Sequence, residues 1–266
     1  CSLMKMDGES KRKLSKRKDP ELSLSFYRQE GYHPFAVKVY MLTLLNSDFE
    51  EWHQKFPDKP LGEFPFRIGK MSKSGALFDL DKLNDISRTE LSRLSAEDMA
   101  AFLKEWTFAF GTQEQKDYFS DEVYLLRVLS LCMGTSGKKR RKDFVTAKQA
   151  MEEIGYFFGA CKQKDAYRVD DATRNAILEG FLVSYDINND AQVWFSNVKA
   201  LAASLGYAAE MRDYKADPEA YKGNVSDVAE VLRIAVTGRA NSPDLWTIMQ
   251  ILGEERTRER ILAART

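Results

Sequence analysis

The chain has 266 residues, 44% hydrophobic and 30% charged, enough apolar material for one large or two ordinary domains with well-solvated faces. Lysine plus arginine and aspartate plus glutamate both number 40, so no global charge announces a polyanionic partner, and such a role must rest on local distribution. Cys1, Cys132 and Cys161 are far apart without a C-x-x-C pair, and His33 and His53 lack metal-ligand spacing. This argues against a disulfide framework or a metal site and points to a reducing cytoplasm. No apolar run approaches the roughly 18–20 residues of a membrane span, and no signal peptide is visible. The opening Cys1-Ser2-Leu3-Met4 is an apolar stub that reads as the last strand of a larger domain, and the chain as a fragment.

That stub feeds the run Lys11 to Lys18, at whose centre stands Lys13-Leu14-Ser15-Lys16-Arg17. Two lysines flanking a serine on a mobile basic loop can reach nucleotide phosphates and neutralise charge that develops as a phosphoanhydride breaks. A lysine-rich run is equally what a solvated face looks like. Asp19-Pro20-Glu21 predicts an N-cap, a proline at the first helical position and an acid in the first turn of a helix that Gly31 closes. Pro34 opens the next helix, through Leu45. Ser47-Asp48-Phe49-Glu50 predicts a capping box for a short third helix, and Pro57, Pro60 and Pro65 a stiff loop after it. Lys70-Met71-Ser72-Lys73-Ser74 is a second lysine–serine motif, and Gly75 to Asn84 reads as a turn entering a helix.

From Thr89 onward the pattern is helical. Ser95 starts a helix that Gly111 closes, and another runs through Tyr118, Val123, Leu126, Val128 and Leu131. Gly134-Thr135-Ser136-Gly137 breaks the pattern before Lys138-Lys139-Arg140-Arg141-Lys142, the densest positive patch, which can be solvated loop or a contact for RNA phosphates and a base edge. Further helices are expected over 144–158, 172–185, 193–205 and 225–236, with a polar loop over 213–223. Arg233 and Thr237-Gly238 end the last of these, and Ser242-Pro243-Asp244-Leu245 predicts a new helix with Ser242 as N-cap. A helix start beside an arginine offers backbone N–H groups, a hydroxyl and a cation that can read an unstacked base.

The Lys13–Arg17 segment resembles the lysine signature loop of class I aminoacyl-tRNA synthetases, in the form typical of glutamyl-tRNA synthetases. Gly31-Tyr32, Pro34, Ala36, Tyr40 and Leu42 are similar to the helix pair that follows it in that family. Phe78-Asp79 and Lys82-Leu83 are similar to a downstream segment, which makes Lys70–Ser74 a look-alike. Phe35 and Val39 depart from the acidic and amide residues usual in the helix pair. The arginine, threonine–glycine and serine–proline–leucine arrangement of Arg233 to Leu245 looks like the close of the bacterial anticodon-binding domain. The resemblance covers the chain as the C-terminal half of such an enzyme.

It implies a mainly α fold. Residues 1–20 would be the tail of the catalytic domain, 21–131 a helical stem-contact domain and 132–266 an all-α anticodon-binding cage. Lys13 and Lys16 would act catalytically, Lys13, Ser15 and Lys16 would bind ATP, and Arg233, Ser242, Pro243, Leu245 and Arg141 would contact the anticodon. In the intact enzyme ATP and Mg2+ would serve to make glutamyl-adenylate, and the glutamate tRNA would take the glutamyl group. No metal site, no membrane and a cytoplasmic monomer are expected, with the catalytic half as partner. The family's H-x-G-H motif is absent, so the chain alone is expected to bind no cofactor and activate no amino acid. Two alternatives stand beside this: an enzyme that also charges the glutamine tRNA, and a helical scaffold with no RNA role.

Overall fold

In the computed structural model the apolar stub is strand β1 (Leu3–Asp7), paired antiparallel with β2 (Ser10–Lys13) in the register Met4 to Lys13 and Asp7 to Ser10. Gly8, at φ 61°, makes the left-handed turn between them. A third strand, β3 (Ala76–Leu77), lies parallel to β1, giving the order β2-β1-β3. The structure describes residues 2–71, 75–135, 137, 139–159 and 161–265, and the chain divides into two compact units, Cys1–Glu153 and Ile154–Thr266.

The first unit is built on α1 (Leu24–Glu30), α2 (Pro34–Leu45), α3 (Phe49–Lys55), α4 (Leu80–Leu91), α5 (Ala96–Phe110), α6 (Gln113–Asp117) and α7 (Glu122–Met133). The helix α8 (Ala147–Ile154) follows. Gly31 closes α1 in the left-handed conformation, and Ser95 caps α5, both as the sequence predicts. Three local expectations fail. Pro20–Leu22 is only a 3-10 turn and Ser23 caps α1, because the Asp19 carboxylate is spent elsewhere. Ser47 forms no capping box, since its hydroxyl meets Asp48 and Asn46 Oδ1 takes the Asp48 N–H. Tyr118 lies in a 3-10 turn after α6, and Asp121 starts α7.

Leu14, Tyr27, Tyr32, Tyr40, Phe78 and Leu83 form one buried cluster of this unit. The segments that resemble each other's neighbours in the synthetase family therefore meet: the Tyr40 hydroxyl donates to Asp79 O (2.8 Å) and accepts from Asp79 N–H (2.7 Å). Asp79 in turn caps α4 through the N–H groups of Asp81 and Lys82. Burial pushes the phenols of Tyr32 and Tyr40 up to about 12, so both remain donors across the physiological range.

The second unit contains α9 (Asp171–Ser184), α10 (Ala191–Ser204), α11 (Met211–Ala216), α12 (Val225–Thr237), α13 (Leu245–Leu252) and α14 (Glu254–Ala263). Helix α12 is its axis, with eight buried residues from Val225 to Thr237. Asn224 and Asp227 make a capping box at its start. Gly180 of α9 sits where a Cβ would lie 2.4 Å from Leu201 Cδ1 of α10, so these helices touch at van der Waals distance. The polar loop expected over 213–223 is instead α11 and a 3-10 turn, and α14, unmarked by apolar periodicity, was not anticipated. The mainly α class is as expected.

Replacing Tyr40 by Phe would leave the Asp79 N–H and C=O without their shared partner. A loss of about 1–3 kcal/mol in stability of the first unit is expected from urea unfolding followed by circular dichroism.

Candidate nucleic-acid interface

The basic segment after β2 is fastened at its base. The Arg12 guanidinium makes a fork on Asp19, Nη1 to Oδ2 and Nη2 to Oδ1 both at 2.7 Å, and its Nε reaches Asp7 at 2.9 Å. Asp19 is 2% exposed and also accepts the Ser15 N–H at 2.8 Å. Arg12 and that N–H hold the Asp19 carboxyl well below the usual carboxylate range. Leu14, 4% exposed, plugs the cluster below. Lys13, Lys16, Arg17 and Lys18 remain exposed, and none of the four has an ion-pair partner among the described residues. The arrangement is therefore a pinned loop presenting cations, whereas the sequence suggested a loop with freedom throughout.

Lys70 is exposed and pairs with Asp48 at 3.4 Å, and Ser72, Lys73 and Ser74 of the look-alike motif lie outside the described residues. In the run over 138–142, Lys138 also lies outside them. Its neighbours have intramolecular work: Arg140 donates to Leu94 O (3.1 Å), Arg141 forms an ion pair with Asp143 (2.6 Å) and Lys142 donates to the Thr89 hydroxyl (3.1 Å). Arg141 belongs to the first unit.

Arg233, Ser242, Pro243 and Leu245 come together in the second unit. Arg233 Nη1, on the last turns of α12, donates to Ser242 Oγ at 2.5 Å and Pro243 O at 2.7 Å, with Ser242 O at 3.3 Å. The Ser242 hydroxyl then donates to Pro243 O at 2.9 Å. Because that hydroxyl is taken, Ser242 does not cap the following helix. Asp244 does, accepting from Thr247 N–H and hydroxyl at 2.8 and 2.7 Å, so α13 begins two residues later than its sequence predicts. Arg233 and Ser242 are half-buried, and Pro243 and Leu245 are buried.

Helix α14 secures the same unit from another side. Arg256 donates to Phe157 O, Arg258 to Leu182 O and Tyr185 O, and Arg260 to Val236 O, Tyr156 O and Gly159 O, all at 2.5–3.2 Å. Those of Leu182, Tyr185 and Val236 are helix-end carbonyls that a helix cannot satisfy by itself, and those of Tyr156, Phe157 and Gly159 lie in or just after the 3-10 turn that follows α8. A cavity of about 510 Å³ lies here, lined among others by Phe158, Cys161, Tyr167, Ile234, Arg256 and Arg260. Burial pushes the Cys161 thiol up, against the fields of Arg260 and Arg239. No group of three His, Cys, Asp or Glu is placed to hold a metal ion among the described residues, and no helix there is long and apolar enough to cross a membrane.

Residues 142–265 match the family described as "Anticodon binding domain". Over 97% of its length the chain is 48% identical to the glutamate–tRNA ligase of Acetivibrio thermocellus, and over 98% it is 42% identical to that of Clostridium perfringens. The chain is similar, over nearly its whole length, to part of the glutamate–tRNA ligases. It spans about half the length of the curated relatives it matches, covering 48% of each of these two, and corresponds to their C-terminal half. A crystal structure of a glutamate tRNA ligase from Elizabethkingia meningosepticum shares the fold, with a TM-score of 0.64 and 18% identity over 99% of this chain and 50% of that one. In this chain, α14 and its arginine clamps are what sequence reading missed. The signal available was the repeated arginine in Arg256, Arg258 and Arg260 at the end of a chain otherwise balanced in charge.

Asp19→Ala should release the Ser15 amide and hasten tryptic cleavage after Lys13 and Lys16. In the unaltered chain the depressed Asp19 keeps the anchor whole above about pH 4. Ser15 amide protection, corrected for intrinsic exchange, is expected to stay level from pH 7 to pH 4 and to fall only as Asp19 takes up a proton below that.

Proposed function

We propose that this chain supplies tRNA recognition to a glutamate–tRNA ligase, with residues 132–266 reading the anticodon. The observation that carries this reading is the corner where Arg233 is fixed against Ser242 and Pro243 at the entry to α13, inside the stretch matching an anticodon-binding domain. A guanidinium held by two acceptors is pre-oriented, so a base meeting it loses little binding energy to ordering of the side chain. Buried Pro243 and Leu245 give the corner a rigid floor, and the backbone beside Ser242 offers hydrogen-bonding partners of the kind that read unstacked bases. Arg141 adds a contact from the basic run, exchanging its pair with Asp143 for RNA.

The remaining assignments follow the same reading. Residues 21–131 contact the tRNA stem and residues 132–266 hold the anticodon. The pinned loop serves the nucleotide: Lys13, Ser15 and Lys16 bind ATP, arriving as its magnesium complex, with the two lysines stabilising phosphate charge as glutamyl-adenylate forms in the whole enzyme. The partner is the glutamate tRNA, the protein acts as a cytoplasmic monomer, and this chain alone activates no glutamate.

Filter binding of the chain to a glutamate tRNA transcript and to one with a changed anticodon, at two salt concentrations, tests this. The cognate transcript is expected to bind more tightly, with both affinities falling in salt by roughly 0.7–0.9 of slope per phosphate neutralised. Arg233→Ala should reduce the preference by about 1–3 kcal/mol. Equal binding of the two transcripts to the unaltered chain would refute anticodon reading. A second expectation is that the chain alone gives no ATP–pyrophosphate exchange, whereas exchange above background would contradict the division of labour.

A further inference from the structure

The turn that joins α12 to the Arg233 corner is built to closer tolerance than a surface connection requires. Gly238 ends α12 at φ 74°, and a Cβ placed there would lie 2.2 Å from Lys162 O. Its carbonyl accepts from both Lys164 N–H (2.8 Å) and Asp165 N–H (3.1 Å). On the helix side, the Thr237 hydroxyl donates to Arg233 O (2.8 Å) and accepts from Arg239 N–H (3.2 Å). One further bond closes the circuit: the Asp165 carboxylate accepts the Ala240 N–H at 2.7 Å. Residues 162–165 thus grip the turn at Gly238 and again at Ala240, two residues before Ser242.

We propose that Asp165 is a positioning residue for anticodon discrimination, acting through the Ala240 N–H to hold the turn that carries Arg239 and Ser242. The inference rests on the anticodon reading of the Arg233 corner. Asp165 is exposed and packs no core. What it supplies is a short, charge-assisted bond to a backbone donor in the middle of a five-residue connection, 238–242, whose ends are already fixed. Freed of that bond, the connection gains alternative turn conformations, and Ser242 samples positions in which it no longer meets the Arg233 guanidinium. A binding corner then pays for its own ordering when RNA arrives, which weakens the tRNA that uses the corner and spares the one that does not.

The test compares Asp165→Ala, Asp165→Asn and Arg233→Ala in the full chain, by filter binding to the glutamate tRNA transcript and its changed-anticodon counterpart and by exchange of the Ala240 amide. Asp165→Ala should lower the cognate preference about 3–10-fold, the effect of losing one hydrogen bond. The melting temperature should hold while the Ala240 amide exchanges faster. Asp165→Asn, whose amide oxygen still accepts, should keep most of the preference and most of the protection. The proposal is overturned if Asp165→Ala leaves the preference intact while Arg233→Ala removes it. It is also overturned if the Asn variant behaves like the Ala variant, since charge and not the acceptor would then be acting, or if both transcripts shift equally, which is a net-charge effect. Should Arg233→Ala leave the preference unchanged, the anticodon reading fails first and this inference falls with it, whatever the Ala240 amide does.

Discussion

Backbone carbonyls at the ends of helices have no partner within the helix, and in this protein guanidinium groups supply many of those partners. Arg256, Arg258 and Arg260 reach the carbonyls of Phe157, Leu182, Tyr185, Val236, Tyr156 and Gly159, and Arg233 reaches those of Ser242 and Pro243. A cation at a helix C-terminus also meets the negative end of the helix dipole, so the contacts to Leu182, Tyr185 and Val236 combine hydrogen bonding with a favourable field, whereas Arg233, at the entry to α13, holds its acceptors by hydrogen bonding alone. The planar fork fixes direction as well as distance, which a lysine would not do.

The same device organises the candidate sites. In the first unit the acceptor is the Asp19 carboxylate, and the Arg12 fork sets the base of the loop so that Lys13 and Lys16 project from a defined frame. In the second unit the acceptors are the hydroxyl and carbonyls at the entry to α13. Cations exposed to water gain little from a loose ion pair, and their usefulness to a phosphate or a base depends on being held in one place beforehand. In both sites an arginine is committed to structure; in the first its neighbours Lys13 and Lys16 are left to face solvent, and in the second it is fixed over buried Pro243 and Leu245.

Much of this was legible in the residues. Helix starts followed from the cap Ser95 and from Pro34 at a first helical position, because such signals act between a residue and N–H groups a few positions on. Left-handed closures at Gly31 and Gly238 were likewise readable, since glycine alone enters that region freely. Two of the misread caps share one cause. Asp19 and Ser242 have good capping side chains, but each is claimed by an arginine from elsewhere in the chain, Arg12 and Arg233 respectively. The segment over 213–223 looked like loop because it is polar, yet it carries α11 on a surface where polarity is no obstacle to helix.

The sequence by itself determined the mainly α class, the placement of most helices, and the family resemblance carried by the motifs at Lys13–Arg17 and Arg233–Leu245. These rest on periodicity and on side chains acting within a few residues of themselves. Only the tertiary structure decided which polar groups were still available once the chain had folded. It took Arg260 to the Tyr156 carbonyl across 104 residues, Arg256 to the Phe157 carbonyl across 99, and Asp165 to the Ala240 N–H across 75. A carboxylate or guanidinium takes whichever partner folding brings within about 3 Å, and nothing in its own neighbourhood of the chain records which one that will be.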